Sequence, residues 1–174
     1  MLSASSDLQP QALATATALP ARFYTGEGTA AVDQTAVFNR HWQYVCHSTQ
    51  IADEGDYVVS VLGQLPVIVI RTAEGLRGYH NVCRHRAGPL AQCSGKGAKQ
   101  LRCRYHGWTY NLDGSLRGAP AMTLNEGFCK EQIALPQVRC ETWAGWIMVT
   151  LDPDVPPPSE RLAEVSDLIG PFQM

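Results

Sequence analysis

The chain has 174 residues, 45% of them apolar and 17% charged, with 14 Lys and Arg against 16 Asp and Glu. That length supports one domain with a substantial core and leaves little for a second. A net charge of −2 gives no general attraction to nucleic acid or anionic membrane, no nucleic-acid-binding pattern is present, and no run approaches the ~20 apolar residues of a membrane span.

Residues 1–19 are mostly Ser, Ala, Thr, Gln and Leu, without a basic start, an apolar signal core or a twin arginine. They read as a flexible arm, and the expected location is cytoplasmic. A short helix is expected between Asp33 and His41, leading into a first strand whose Trp42 and Tyr44 seal the core. Strand-like runs follow at 57–62, 65–71 and 76–82, broken at Gly63-Gln64 and Ala73-Glu74-Gly75. A short strand is expected at 101–104, then a hairpin of 108–112 and 115–118 around Asp113-Gly114. Runs 137–143 and 146–152, split by Ala144-Gly145, close the scaffold. The expected fold class is all-β, a small antiparallel sandwich or barrel-like domain over 20–152 with short flanking helices. Pro153 and Pro156-Pro157-Pro158 stiffen the exit, so 153–174 reads as a linker and a short helix. Ser159 would cap that helix, with Leu162, Val165 and Ile169 on one face and no partner within the segment.

The chemistry lies in two short pairs, Cys83-x-His85 and Cys103-x-x-His106, separated by positions 86–102. Each pair supplies one thiolate and one imidazole. A zinc finger groups its cysteines together and its histidines together, whereas here the two types alternate. Two loop tips carrying such pairs could clamp a [2Fe–2S] cluster between them, cysteines on one iron and histidines on the other, which raises the potential above that of an all-cysteine cluster. His41 and His47 lack ligand partners at short spacing and are read as surface or packing residues. Cys46, Cys93, Cys129 and Cys140 are read as free thiols, and for Cys93, between the two motifs, packing is the expected role.

Asn81-Val82-Cys83-Arg84-His85-Arg86-Ala87-Gly88 and Arg102-Cys103-Arg104-Tyr105-His106-Gly107-Trp108-Thr109-Tyr110 resemble the N-terminal Rieske domain of the large (alpha) subunit of Rieske non-haem iron oxygenases. This family includes ring-hydroxylating dioxygenases and quaternary-amine oxygenases. The resemblance runs from about Leu19 to Asp154, starting at Leu19-Pro20-Ala21-Arg22-Phe23-Tyr24. It implies that Cys83, His85, Cys103 and His106 bind the cluster and that the function is electron transfer in a mono- or dioxygenase that hydroxylates or demethylates a small organic substrate with dioxygen. It also implies a reductase or ferredoxin as electron donor, a homotrimer at full length, and His106 as the electron exit toward a neighbouring subunit's catalytic iron. The membrane-anchored respiratory type of Rieske protein carries an extra, disulfide-linked cysteine in each loop, and Gly88 and Tyr105 hold those places here. Trp108 stands where that type has a serine hydroxyl near the cluster sulfurs. Fewer hydrogen bonds to sulfur predict a potential nearer about −150 mV than about +300 mV.

Between Gly75 and Leu112 there is no Asp or Glu, while Arg77, Arg84, Arg86, Lys96, Lys99, Arg102 and Arg104 all fall there. Such a basic surround suits stabilisation of a reduced cluster or steering of an acidic donor; a solvated rim is the plain alternative. Each ligand imidazole would keep one ring N–H, coupling electron to proton transfer, and Tyr105 and Trp108 would shield the other faces of the cluster. The five histidines are His41, His47, His80, His85 and His106, so the ligands of a catalytic non-haem Fe(II) are not in this chain. The expectation is a truncated large subunit lacking its catalytic domain. A stand-alone Rieske ferredoxin and a zinc-stabilised interaction module remain the alternatives.

Overall fold

The computed structural model describes residues 9–122 and 125–170. Among the described residues nine strands form two antiparallel sheets. The larger contains β1 (Gln43–His47), β2 (Tyr57–Leu62), β3 (Leu65–Thr72), β4 (Gly75–His80), β8 (Gln137–Trp143) and β9 (Trp146–Thr150), in the order β1-β9-β8-β4-β3-β2. Its edge strands β1 and β2 approach each other, so the sheet nearly closes. The smaller contains β5 (Leu101–Arg102), β6 (Thr109–Tyr110) and β7 (Leu116–Gly118). The expected all-β architecture is therefore present.

Strand β3 explains how two cores arise from one sheet. Its four consecutive apolar residues, Val67, Ile68, Val69 and Ile70, are all fully buried, and successive side chains on a strand point to opposite faces. Val67 and Val69 join Cys46, Ile51, Ile147 and Val149 on one side. Ile68 and Ile70 join Tyr79, Cys83, Cys103, Trp108 and Tyr110 on the other. The candidate ligand cysteines thus belong to a hydrophobic core and not to a surface loop alone.

Tyr79 of β4 ties the small sheet to the large one. Its hydroxyl donates to the Leu112 carbonyl at 3.0 Å. A Cβ at Gly114 would sit 2.6 Å from its ring, so the Asp113-Gly114 turn packs flat on Tyr79, with Gly114 at φ +87°.

Several local expectations are corrected. The helix expected from Asp33 begins earlier: α1 is Arg22–Thr25, α2 is Thr29–Asp33, and a π-helical turn spans Gln34–Phe38. Tyr44 is 53% exposed and does not seal the core. The register slips between Tyr44 and Cys46, and that irregularity breaks the alternation that would have buried both. Trp42 is half-buried, its indole N–H donating to the Pro156 carbonyl at 2.7 Å and its ring lying under the Arg139 guanidinium.

The C-terminal helix is split into α3 (Pro158–Arg161) and α4 (Ala163–Ile169), and Ser159 is not its cap: Pro157 occupies that position and Pro158 starts the helix. Proline suits a first helical position because the missing N–H has no partner there anyway. Leu162, Ser166 and Ile169 form the half-buried face of α4, while Val165 is exposed. Ser166 accepts the Trp143 indole N–H at 3.0 Å, which ties this helix to β8, outside its own segment. Residues 1–8 of the expected arm and 171–174 of the expected linker lie outside the described residues; Gln9 to Leu19 are exposed, with one 3-10 turn at Leu13–Thr15.

Candidate metal centre

The two ligand pairs sit on loops with the same hydrogen-bonded frame. In the first, after β4, the Cys83 N–H donates to Gly88 O at 2.8 Å and the Ala87 N–H donates back to Cys83 O at 3.1 Å. In the second, between β5 and β6, the Cys103 N–H donates to Trp108 O at 2.9 Å and the Gly107 N–H donates to Cys103 O at 3.0 Å. The fourth residue after each cysteine is left-handed, Ala87 at φ 55° and Gly107 at φ 75°. Two like loops therefore face one another. A Cβ built on Gly88 lies 3.5 Å from both the Cys103 sulfur and the Tyr105 Cβ, so they touch directly.

Cys83 and Cys103 are each 3% exposed. The rings of His85 and His106 lie 4.7 Å apart at 75°. His85 is half-buried and stacks on Trp108, centroids 4.9 Å apart and planes within 10°. His106 is exposed, with Tyr105 tilted against it at 3.8 Å. Tyr105 is itself 64% exposed, so it flanks His106 more than it shields it. Burial, with His106 and Arg86 adding to it, pushes the His85 imidazole below its usual range and favours the neutral form that a metal ligand needs.

The His85 Nδ1 is buried and has no hydrogen-bond partner. An orphaned buried nitrogen is costly unless something unseen accepts or coordinates it. Among the described residues, no three or more His, Cys, Asp or Glu side chains converge as they would around a single metal ion. A four-ligand zinc site requires that convergence, whereas a two-iron cluster needs only two protein ligands per iron. The donor set, the buried cysteines and the orphaned Nδ1 fit a [2Fe–2S] cluster between the loops.

Two residues that sequence reasoning passed over shape this centre. The Tyr110 hydroxyl lies 3.3 Å from the Cys83 sulfur and accepts the Arg84 N–H at 3.0 Å. With its acceptor side occupied by that N–H, the hydroxyl proton is free to point at sulfur. Burial, reinforced by the contact with Cys83, holds the phenol well above its usual range. The expectation of few hydrogen bonds to sulfur is thus offset at one cysteine. Tyr110 and Trp108 both lie buried in the core that holds the two cysteines. The second is Asn81, 5% exposed, whose Oδ1 accepts from Leu90 N and Ala91 N and whose Nδ2 donates to Ala91 O. It closes the first ligand loop at its base.

The remaining candidates fall elsewhere. His47 caps the turn Ser48–Ile51, and His41 is exposed. Cys46 and Cys140 pack in the second core, where burial raises both thiols, Cys140 to about 11. Cys93 and Cys129 are exposed, so the packing role expected for Cys93 is not the one it has. Of the basic residues near the loops, Arg77 pairs with Glu74 and Lys96 with Asp56. Arg84, Arg86, Arg102 and Arg104 are exposed and form no ion pair among the described residues. Among the described residues no helix is long and apolar enough to cross a membrane.

Comparison with known proteins agrees with this reading. The Rieske [2Fe-2S] domain family matches residues 41–137. The chain is 33% identical over 145 residues to the carnitine monooxygenase oxygenase subunit of Escherichia coli K12, covering 83% of this chain and 39% of that protein. It is 35% identical over 148 residues to the biphenyl 2,3-dioxygenase subunit alpha of Rhodococcus jostii RHA1, covering 84% of this chain and 32% of that one. A crystal structure of a quaternary ammonium Rieske monooxygenase in its apo form superposes with a TM-score of 0.79 at 30% identity, over 87% of this chain and 45% of the other. The chain thus spans well under half the length of these relatives, and over that span it belongs to the Rieske [2Fe-2S] domain family, in the branch formed by the oxygenase subunits of Rieske oxygenases.

Proposed function

We propose that Cys83 and Cys103 hold one iron and His85 and His106 the other iron of a [2Fe–2S] cluster, and that the chain carries electrons to the catalytic site of a Rieske oxygenase. A cluster bound there supplies reversible one-electron transfer. The observation that carries the assignment is the buried, partnerless His85 Nδ1, on a ring whose centroid lies 4.7 Å from that of His106 and which stacks on Trp108, a member of the same core as both cysteines. The relatives are oxygenase subunits, which favours this reading over a stand-alone ferredoxin.

The chain's own residues then divide the work. Tyr110 donates toward Cys83, Asn81 holds the first loop closed, and Trp108 covers His85. His106, the exposed imidazole, is the edge through which an electron leaves. Arg84, Arg86, Arg102 and Arg104, exposed on the two loops and without an ion pair among the described residues, suit an acidic surface on the donor, a reductase or ferredoxin. The full-length protein would carry a non-haem Fe(II) site in a catalytic domain and assemble as a homotrimer. In domain terms, 1–19 is an arm, 20–152 the cluster domain, and 153–174 the linker toward the catalytic part. Its substrate would be a small organic molecule, with a quaternary amine and an aromatic compound both represented among the relatives.

The test is an EPR spectrum of the dithionite-reduced protein with iron and acid-labile sulfide counted on the same sample. A Rieske-type signal with equal iron and sulfide supports the assignment, and bound zinc with no signal would end it. His106→Cys should keep iron, lower the midpoint potential and change the spectrum, because a thiolate replaces an imidazole on the same iron. An unchanged spectrum would remove His106 from the ligand set.

A further inference from the structure

Among the described residues two buried side-chain nitrogens lack a hydrogen-bond partner, His85 Nδ1 and Trp108 Nε1. They belong to a single stacked pair, with ring planes within 10° and centroids 4.9 Å apart. Trp108 is 4% exposed, and the ring of Phe128 meets it edge-on at 5.6 Å. Water is therefore kept from an indole N–H that can only donate. Native proteins rarely leave such a group unsatisfied. The first orphan is accounted for by iron, and the second, stacked on the same imidazole, calls for an acceptor in the same place.

We propose that the Trp108 indole N–H donates a hydrogen bond to an inorganic sulfide of the cluster, making Trp108 a positioning and tuning residue and not only a cover. The proposal rests on the ligand assignment given above. The choice of sulfide over thiolate follows from that assignment: both cysteines serve the other iron, so the sulfurs beside the histidine-bound iron are the inorganic sulfides. Reduction adds negative charge to the cluster and strengthens any N–H donated to its sulfur. The Trp108 N–H would therefore favour the reduced state and raise the midpoint potential.

The experiment uses the cluster-loaded chain with its tryptophans labelled with 15N at the indole, measured by pulsed EPR in the reduced state. Trp108→Phe, which keeps a stacking ring without the N–H, is the comparison, and Trp146→Phe the control. The expected result is a weak 15N coupling and an exchangeable proton in the unmodified chain. Both should be lost in Trp108→Phe together with a drop in potential, and both retained in Trp146→Phe. A Rieske signal without indole coupling in the unmodified chain overturns this proposal and leaves the ligand assignment standing. The absence of any Rieske signal overturns both. If Trp108→Phe fails to hold its cluster, the labelled unmodified chain still decides, since its coupling is read without a variant. An unchanged potential in a Trp108→Phe protein with full iron and sulfide also refutes it.

Discussion

Replacing Tyr110 with Phe removes one oxygen and nothing else from a fully buried position. Two interactions go with it: the hydroxyl's contact with the Cys83 sulfur at 3.3 Å and its acceptance of the Arg84 N–H at 3.0 Å. The ring stays, so the packing against Ile68, Ile70 and Leu101 in the first core is kept. The Arg84 N–H is left without its acceptor, which costs about 1–3 kcal/mol where water cannot replace it. The redox effect has a definite sign. With iron bound as proposed, the Cys83 sulfur would have no proton to give, so the tyrosine would be the donor, and its bond would strengthen when reduction adds negative charge. If about 1 kcal/mol of that bond belongs only to the reduced state, its loss lowers a one-electron potential by roughly 40 mV. Protein-film voltammetry or a dye-mediated titration reads the shift, with iron and sulfide counted to show that the cluster is intact. A Tyr110→Phe protein with full cluster content and an unchanged or raised potential would refute the reasoning.

Three further outcomes follow from the same structure. Asn81→Ala removes three hydrogen bonds that close the first ligand loop; stability should fall by about 2–4 kcal/mol in denaturant titrations, and the EPR lines should broaden as His85 loses its fixed position. Asp56, nearly buried, is held below the usual carboxylate range, first by Lys96 at 2.8 Å and also by the Asp53 and Gly97 N–H groups. A carboxyl depressed in the folded state contributes stability above its unfolded value of about 3.9 and loses it as pH falls through its folded value. Asp56→Asn should flatten that acid limb of the stability curve, and an acid limb identical to the unmodified protein's would count against the pairing. Finally, the built Cβ on Gly88 lies 3.5 Å from Tyr105 Cβ, at the short end of disulfide spacing. The double variant Gly88→Cys with Tyr105→Cys should oxidise to an intramolecular crosslink visible by mass spectrometry, and two thiols that remain free under oxidant would show that the loops stand further apart.

How much of this was legible in the sequence depended on whether a feature was local. Strands 57–62 and 137–143 appear with the bounds their patterns suggested, because alternation and β-branched residues act within the segment. The two Cys/His pairs stood out as plainly, each lying within one turn, and the structure brings their loops face to face. The helix near the N-terminus was misplaced because its form is set by tertiary contacts. The Gln34 side chain donates to Leu62 O at 3.2 Å and accepts from Gln64 N at 2.6 Å, pinning the π-helical turn to the β2–β3 hairpin. The exposure of Tyr44 came from a register irregularity that no composition announces. Tyr110 and Cys83 are 27 residues apart in sequence, so their contact exists only once the small sheet has folded onto β4.

The two loops share a backbone frame, yet they present their histidines differently. His85 is the second residue after its cysteine and His106 the third. The first lies half-buried in a stack with Trp108, and the second lies exposed beside Tyr105. Two buried rings would isolate a cluster from its partners, and two exposed ones would leave the histidine-bound iron open to water. Here one ring is covered by Trp108 and the other reaches the surface. Replacing Tyr105, tilted against that exposed ring, with Asp keeps the candidate ligand and changes the surface that an acidic partner meets. Electron transfer to an external acceptor should slow while the reduced cluster's EPR signal persists, and fast transfer in such a variant would mean that the exit lies elsewhere.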